Sequence, residues 1–146
     1  MRVLHWFRSD LRVRDNTALL AACEHASASA DGGVVGVFTI CPEQWKDEHD
    51  WGNPKADFVM RSVAALRESL AGRNIPLRII EPPRFGDVPD TLLGLARDTG
   101  CRGRFFNTEF EINERARDAA ATEAFVEAGL EVRTFLDKTV FEPGTV

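Results

Sequence analysis

A dense group of charged side chains follows the first apolar segment of this chain. Five charges fall within eight positions, at Arg8, Asp10, Arg12, Arg14 and Asp15. The apolar residues just before them predict a buried strand, so the charges stand where a strand passes into a helix. In an open parallel sheet, ligands bind beyond the carboxyl ends of the strands. The alternative is a solvated turn whose surface ion pairs contribute little to stability.

A second polar group follows a later strand, at Glu109, Asn113 and Glu114. An amide beside a carboxylate is suited to bind the edge of a flat heteroaromatic ring that presents N–H donors and a carbonyl. The structural alternative is a helix start, because Asn is a good N-cap and Glu suits the first turn. Glu114 and Arg117 are also spaced for a surface ion pair. Glu109 stands at the end of the strand, where it can face the same crevice.

The loop over residues 41–53 is long for an α/β protein and contains Gln44, Trp45, His49 and Trp51. Two indoles in a polar loop can stack on a flat ring, or they can fill an apolar gap beside the next helix. His49 is either a ligand contact or a solvated side chain.

Several familiar sites are absent from the sequence. It has neither the G-x-G-x-x-G nor the G-x-x-x-x-G-K-[ST] pattern of phosphate-binding loops, and its three histidines complete no Ser-His-Asp arrangement. We expect His5 to be packed and hydrogen-bonded within the first strand, and His25 to be exposed on the first helix. The spacing of the three cysteines fits neither a metal site nor a disulfide framework. The sequence therefore offers no candidate catalytic residue and no candidate metal ligand.

Strands and helices alternate along the chain. The predicted strands cover about residues 2–7, 34–40, 77–80, 103–107 and 130–136. The predicted helices begin after residue 15 or 16, near 54, near 89, and at 113 or 114, and the last three end at Gly72, Gly100 and Gly129. This alternation predicts an α/β fold, a Rossmann-like open sheet of five parallel strands with helices on both faces.

The composition is that of one ordinary domain: 146 residues, 44% apolar and 28% charged. The net charge is −5, and the local basic clusters are diluted by acids. Because proteins that grip DNA phosphates are usually basic, we do not expect this chain alone to bind DNA tightly. No apolar run reaches the roughly 20 residues that span a membrane, and no signal peptide is evident. We expect buried free thiols and a cytoplasmic protein.

Two motifs carry a family resemblance. The pattern W-F-R-x-D-L-R-x-x-D-N from Trp6, and N-E-R-A-R-D from Asn113 about a hundred residues later, resemble segments of the DNA photolyase and cryptochrome family. P-E-Q-W from Pro42, I-P-L from Ile75 and the closing F-E-P-G-T-V extend the resemblance over essentially the whole chain. In these motifs the chain is most similar to bacterial class I cyclobutane pyrimidine dimer photolyases.

The resemblance implies a chromophore site. The N-terminal α/β domain of this family cradles an antenna chromophore, commonly 5,10-methenyltetrahydrofolate, and in some members 8-hydroxy-5-deazaflavin or FMN. In folate-binding members an Asn-Glu pair contacts the pterin, which implies Asn113 and Glu114, and a loop histidine contributes, which implies His49. In deazaflavin-binding members an acid after strand 4 binds the chromophore. Glu109 stands there, in place of the usual Asp.

One expectation concerns Glu114 directly. Glu114→Ala should abolish folate binding at little cost in stability, because a charge in the first turn of a helix contributes about 0.3–1 kcal/mol.

The resemblance also implies a domain organisation. Residues 1–137 are expected to form the α/β domain, and residues 138–146 to begin a linker to a helical domain that binds FAD and contacts DNA. That helical domain is absent from this sequence, so this chain alone is expected to be inert in light-driven splitting of pyrimidine dimers. Two other functions stay open: a cryptochrome-type blue-light receptor, and a free-standing nucleotide-binding domain of similar fold.

Overall fold

A computed structural model describes residues 1–48 and 52–139 of the chain. His49, Trp51 and the closing F-E-P-G-T-V lie outside the described residues. Within the described part, five parallel strands form one sheet in the order β3-β2-β1-β4-β5. The strands are β1 Arg2–Phe7, β2 Gly33–Thr39, β3 Leu77–Ile80, β4 Cys101–Asn107 and β5 Glu131–Phe135. The predicted fold class is confirmed, and the strand order reverses between β1 and β4.

The helices lie close to their predicted positions, at α1 Thr17–Ser27, α2 Asn53–Ala71, α3 Val88–Thr99 and α4 Ile112–Glu127. A π-helical turn, Gln44–Glu48, and a 3-10 turn, Phe85–Asp87, precede α2 and α3. Asn16 caps α1 by accepting a hydrogen bond from the Leu19 amide at 3.1 Å. Gly100 ends α3 with a φ of 66°, a backbone conformation that glycine adopts without strain.

The start of α4 differs from the prediction. Its N-cap is Glu111, not Asn113, and the Arg115 amide already donates to the Glu111 carbonyl at 2.9 Å. The N-cap therefore lies two residues before the favourable Asn side chain, and the helix itself begins at Ile112. Backbone geometry, rather than N-cap preference, decides where this helix starts.

Two apolar cores cover the two faces of the sheet. On one face α1 and α2 pack over alternate residues of β1, and on the other face α3 and α4 pack over the residues between them. The first core includes Val3, Phe7, Leu19, Ala22, Val63, Leu66 and Leu70. The second includes Leu4, Trp6, Val88, Leu92, Ala96, Ala121 and Phe125. Alternation along β1 thus sends its side chains to opposite cores, and the polar edge beyond its carboxyl end is held between them.

The two histidines described by the structure differ from expectation. His5 is fully buried and packs edge-on against Phe7 at 4.2 Å, but neither ring nitrogen has a hydrogen-bond partner among the described residues. Burial is the main cause that lowers the pKa of His5 to about 4, so the ring is neutral in the fold. His25 is half-buried rather than exposed, because α1 packs it against Phe105, with its Nε2 3.6 Å from Glu131.

The cysteines are free, with Cys41 and Cys101 buried and Cys23 partly buried. None of the helices in the described residues has the length and apolar character needed to cross a membrane.

Candidate functional site

A cleft of about 660 Å³ opens beyond the carboxyl ends of β1 and β2. Its walls come from the β1–α1 loop, the π-helical turn, the first half of α2, and the segment from Glu109 to Arg117. This volume is typical of pockets that hold a cofactor or another small ligand. The two polar groups of the sequence, which lie about a hundred positions apart, therefore meet across one cleft.

One wall of the cleft is apolar and aromatic. Phe38, Trp45, Phe58 and Val59 line it. Phe58 is 70% exposed, so its ring is accessible from the cleft. Trp45 also packs against the core beneath α2, so it both fills the apolar gap and lines the cleft. Such a wall can stack on a flat ring.

Glu114 supplies a carboxylate to the cleft. Its side chain is buried and accepts a hydrogen bond from Nε2 of Gln44, in the π-helical turn, at 2.8 Å. The expectation of a small stability cost for Glu114→Ala treated this residue as an exposed charge in the first turn. Because the substitution removes a partly buried hydrogen bond to a charged group, the cost becomes about 1.5–3 kcal/mol.

Asn113, the neighbouring residue, is exposed and is not among the described residues that line the cleft. The structure therefore brings Glu109 and Glu114 to the cleft, but leaves Asn113 at the surface of the first turn of α4. The position of His49 is outside the described residues.

Glu109 is buried in the same wall but is heavily engaged by its neighbours. One oxygen accepts from the Ser9 hydroxyl at 2.8 Å, and the other accepts from Arg117 at 2.8 Å and lies 4.0 Å from Nε of Arg8. Burial by itself raises the pKa of Glu109, but Arg8 and Arg117 outweigh it and hold the pKa below its ordinary value. This carboxylate is therefore ionised and fixed in orientation at neutral pH.

Arg8, which directly follows β1, bonds to residues of β4 and α4 at the base of the cleft. Its Nη1 donates to both oxygens of Asp118 at 3.1 Å, and its Nη2 donates to the Asn107 carbonyl. Its guanidinium also lies 4.5 Å from the ring centre of Trp6, a cation–π contact. The interpretation of this segment as a solvated turn is therefore wrong for Arg8 and Asp10, which are both buried.

Asn107, at the end of β4, locks the loop that carries Arg8. Its side-chain Nδ2 donates to Asp10 at 2.7 Å and to the N-cap residue Asn16 at 2.8 Å, and its side-chain Oδ1 accepts from the Ala18 amide at 3.2 Å. The Arg8 amide in turn donates to Asp10 at 2.9 Å. These bonds hold the β1–α1 loop, whose residues Arg8, Ser9 and Arg12 line the cleft.

Two further buried arginines were not identified as buried from the sequence. The spacing of Arg117 from Glu114 allows a surface pair, but Arg117 is buried against Trp6 and donates to Glu109 and to Asp118. Arg104 lies between the rings of Phe106 and Phe125, at 4.3 and 5.0 Å. Burial is the main cause that lowers the pKa of Arg104 to about 9. A buried arginine beside aromatic rings on a strand has no sequence signal of its own.

Comparison with known proteins gives consistent similarities. The family model described as DNA photolyase matches residues 3–146. The deoxyribodipyrimidine photo-lyase of Salmonella typhimurium is 36% identical over 143 residues, which cover 98% of this chain and 29% of that protein. Cryptochrome-1 of Sinapis alba is 30% identical over 143 residues, which cover 98% of this chain and 26% of that protein.

The fold is likewise similar to that of a bacterial class III photolyase from Agrobacterium tumefaciens. The TM-score is 0.75 at 29% identity, over 99% of this chain and 27% of that one. The chain therefore spans less than a third of the length of each of these relatives.

Proposed function

Because this chain belongs to the DNA photolyase family, we propose that it is the antenna-binding domain of a deoxyribodipyrimidine photolyase and that its cleft holds the antenna chromophore. The observation that carries the proposal is the buried Glu114 carboxylate in a cleft of about 660 Å³ whose other wall is aromatic. When bound, the chromophore supplies the absorption of near-ultraviolet or blue light and passes the excitation to FAD.

The donor set of the cleft suits a flat heteroaromatic ring. Trp45 and Phe58 offer apolar faces on which such a ring can stack. Glu114 offers a carboxylate oxygen that can accept N–H donors at the edge of the ring, and Gln44 steadies that carboxylate at 2.8 Å. The chain would thus bind the chromophore, orient it by its edge and exclude water from one of its faces.

Methenyltetrahydrofolate is the antenna that we place first. Glu114, its proposed contact, lies in the cleft. Asn113, at the surface of the first turn of α4, and His49, outside the described residues, are further proposed contacts. The deazaflavin contact would be Glu109, whose two oxygens are already engaged by Ser9 and Arg117. FMN is the third candidate, and its flat ring could also stack on the aromatic wall.

The proposal includes the rest of the protein. Residues 1–137 would form the antenna domain, and residues 138–146 would lead to a helical domain that holds FAD and contacts DNA. This chain has a net charge of −5, which supports DNA contact through that partner domain rather than through the α/β domain. Light-driven splitting of pyrimidine dimers would then need both domains.

A blue-light receptor is the second candidate function. The 30% identity to cryptochrome-1 of Sinapis alba favours it, and an antenna domain would serve either protein. Repair of a dimer-containing oligonucleotide under blue light by the full-length protein separates the two, since only the photolyase restores the bases.

Titration of the full-length protein with methenyltetrahydrofolate, followed by the fluorescence of the ligand, tests the antenna proposal. The wild type should bind saturably, and Glu114→Ala should lose about tenfold or more in affinity. Glu123→Ala is the matched control, because it makes the same change at an exposed position of α4 outside the cleft. Unchanged folate affinity in Glu114→Ala would remove Glu114 from the site.

Parallel titrations with 8-hydroxy-5-deazaflavin, FMN and ATP identify the ligand class. A ligand that binds the native state raises its thermal stability. The chromophore of this protein should therefore raise the midpoint temperature of thermal unfolding, while ATP leaves that temperature unchanged. A response to ATP alone would instead support the free-standing nucleotide-binding domain.

A further inference from the structure

A second cavity lies beside the main cleft and shares a wall with it. It measures about 220 Å³, and its lining includes Asp137 and Lys138, just after β5. Arg8, Ser9, Arg12 and Glu109 line both cavities. Of the two arginines among them, Arg8 is buried and bound to Asp118, whereas the side chain of Arg12 is 42% exposed. Arg12 is therefore the guanidinium of the shared wall that a ligand can reach.

Arg12 is held in place by two acceptors. Its Nε donates to the Asp15 carbonyl at 3.0 Å, and its Nη2 is paired with the carboxylate of Asp137. The side chain of Asp137 is only 8% exposed, and its carboxylate also accepts from the Thr17 hydroxyl at 2.7 Å. The Asp137 carboxylate is thus held in place by Thr17 and lies against a cation that faces the cleft.

We propose that Arg12 binds the anionic group of the cleft ligand, a carboxylate or a phosphate carried away from the ring, and that Asp137 competes with it. The proposal rests on the proposed function, since it assigns one end of the same ligand. A guanidinium has several N–H donors in a planar fork, which suits a carboxylate or phosphate and leaves donors beyond those used for Asp15 and Asp137. The glutamate tail of methenyltetrahydrofolate and the phosphate of FMN are both such groups.

The other arginines of the cleft are less suited to this role. Arg117 is buried and donates to Glu109 and Asp118. A ligand anion there would have to displace buried carboxylates, whereas at Arg12 it meets a pair at the edge of solvent. The ion pair also makes the cleft selective for anionic over neutral ligands. Only a ligand with an anionic group can bind Arg12 in place of Asp137.

The test compares ligands that differ only in the anionic group, in the full-length protein. FMN against riboflavin, and methenyltetrahydrofolate against its analogue without glutamate, give the ratio of affinities with and without the anion. Arg12→Gln should lower that ratio roughly fivefold, and Asp137→Asn should raise it roughly two- to fivefold, as for ion pairs near the surface. Arg14→Gln is the matched control. It removes the same charge from the same loop, at an exposed position outside both cavities, and should leave the ratio unchanged.

An unchanged ratio in Arg12→Gln would overturn the inference while the antenna proposal stands. A ratio that falls in Lys55→Gln instead, at the other wall of the cleft, would overturn it equally.

If no chromophore binds the wild type, the antenna proposal fails and a second measurement still decides the inference. Inorganic phosphate alone is titrated while the Nε–H resonance of Arg12 is followed by NMR. A shift that saturates at lower phosphate in Asp137→Asn than in the wild type supports the competition. The absence of any shift in both proteins overturns it.

Discussion

His5 makes the stability of this domain depend on pH in a predictable way. Burial is the largest cause of its low pKa, with Asp10 opposing and Arg8 adding to the effect, so the pKa is about 4 in the fold against an ordinary value of 6.5. Between these two values the unfolded chain binds a proton that the folded chain does not. Stability must therefore fall as the pH falls through this window.

The size of the effect follows from the two proton-binding curves. Between pH 7 and pH 5 the folded state should lose about 2 kcal/mol through His5, and between pH 8 and pH 7 only about 0.1 kcal/mol. His5→Leu removes the titrating group. Because neither ring nitrogen has a hydrogen-bond partner among the described residues, this apolar substitution leaves no buried partner unpaired and should cost less than about 1.5 kcal/mol at pH 7.

Urea unfolding of the wild type and His5→Leu, followed by tryptophan fluorescence at pH 8, 7 and 5, measures this difference. Glu109 also makes the fold less stable as the pH falls, since its pKa in the fold lies below the ordinary 4.5. That loss of stability begins below pH 5 and is the same in both proteins, so it does not affect the comparison. The wild type should lose about 2 kcal/mol more than the variant between pH 7 and pH 5. Equal losses in the two proteins would refute the reasoning.

Three further predictions concern the buried charges and the cleft. Arg104→Met should leave stability unchanged or raise it by up to about 2 kcal/mol. Arg8→Met should instead lose about 1.5–3 kcal/mol, because Asp118 and the Asn107 carbonyl lose a buried donor while Arg117 still pairs with Asp118. Urea unfolding compares the two variants, and similar losses would contradict the contrast. Glu114→Ala should lose about 1.5–3 kcal/mol, through the hydrogen bond from Gln44, and a loss below about 0.5 kcal/mol in the same assay would argue against that bond. Phe58→Ala should change stability by less than about 0.5 kcal/mol but weaken chromophore binding roughly two- to tenfold, and unchanged affinity by fluorescence titration would remove Phe58 from the site.

The sheet and its helices were predictable because their signals are local. Apolar runs and helix stop signals define β1, β3 and α3 to within a residue or two, and α1 begins after Asn16, one of its two predicted starting points. The start of α4 was not predictable in the same way. Asn113 favours an N-cap position, but the path of the chain after β4 starts the helix at Ile112, before Asn113 is reached.

The polar floor of the cleft depends on pairs that are distant in sequence. Arg8 and Asp118 are 110 positions apart, and Arg12 and Asp137 are 125 apart. No spacing rule relates such residues, so the sequence alone left a solvated turn open as an alternative for the charges of the first loop. Conversely, Glu114 and Arg117 have the spacing of a helical surface pair, but both side chains are buried.

A crystal structure of the full-length protein with methenyltetrahydrofolate bound tests the central claim most directly. We predict that the pterin ring lies in the cleft against Trp45 and Phe58, with ring N–H groups about 3 Å from the Glu114 carboxylate. A chromophore bound elsewhere in the protein, or a pterin whose edge makes no contact with Glu114, would contradict the account.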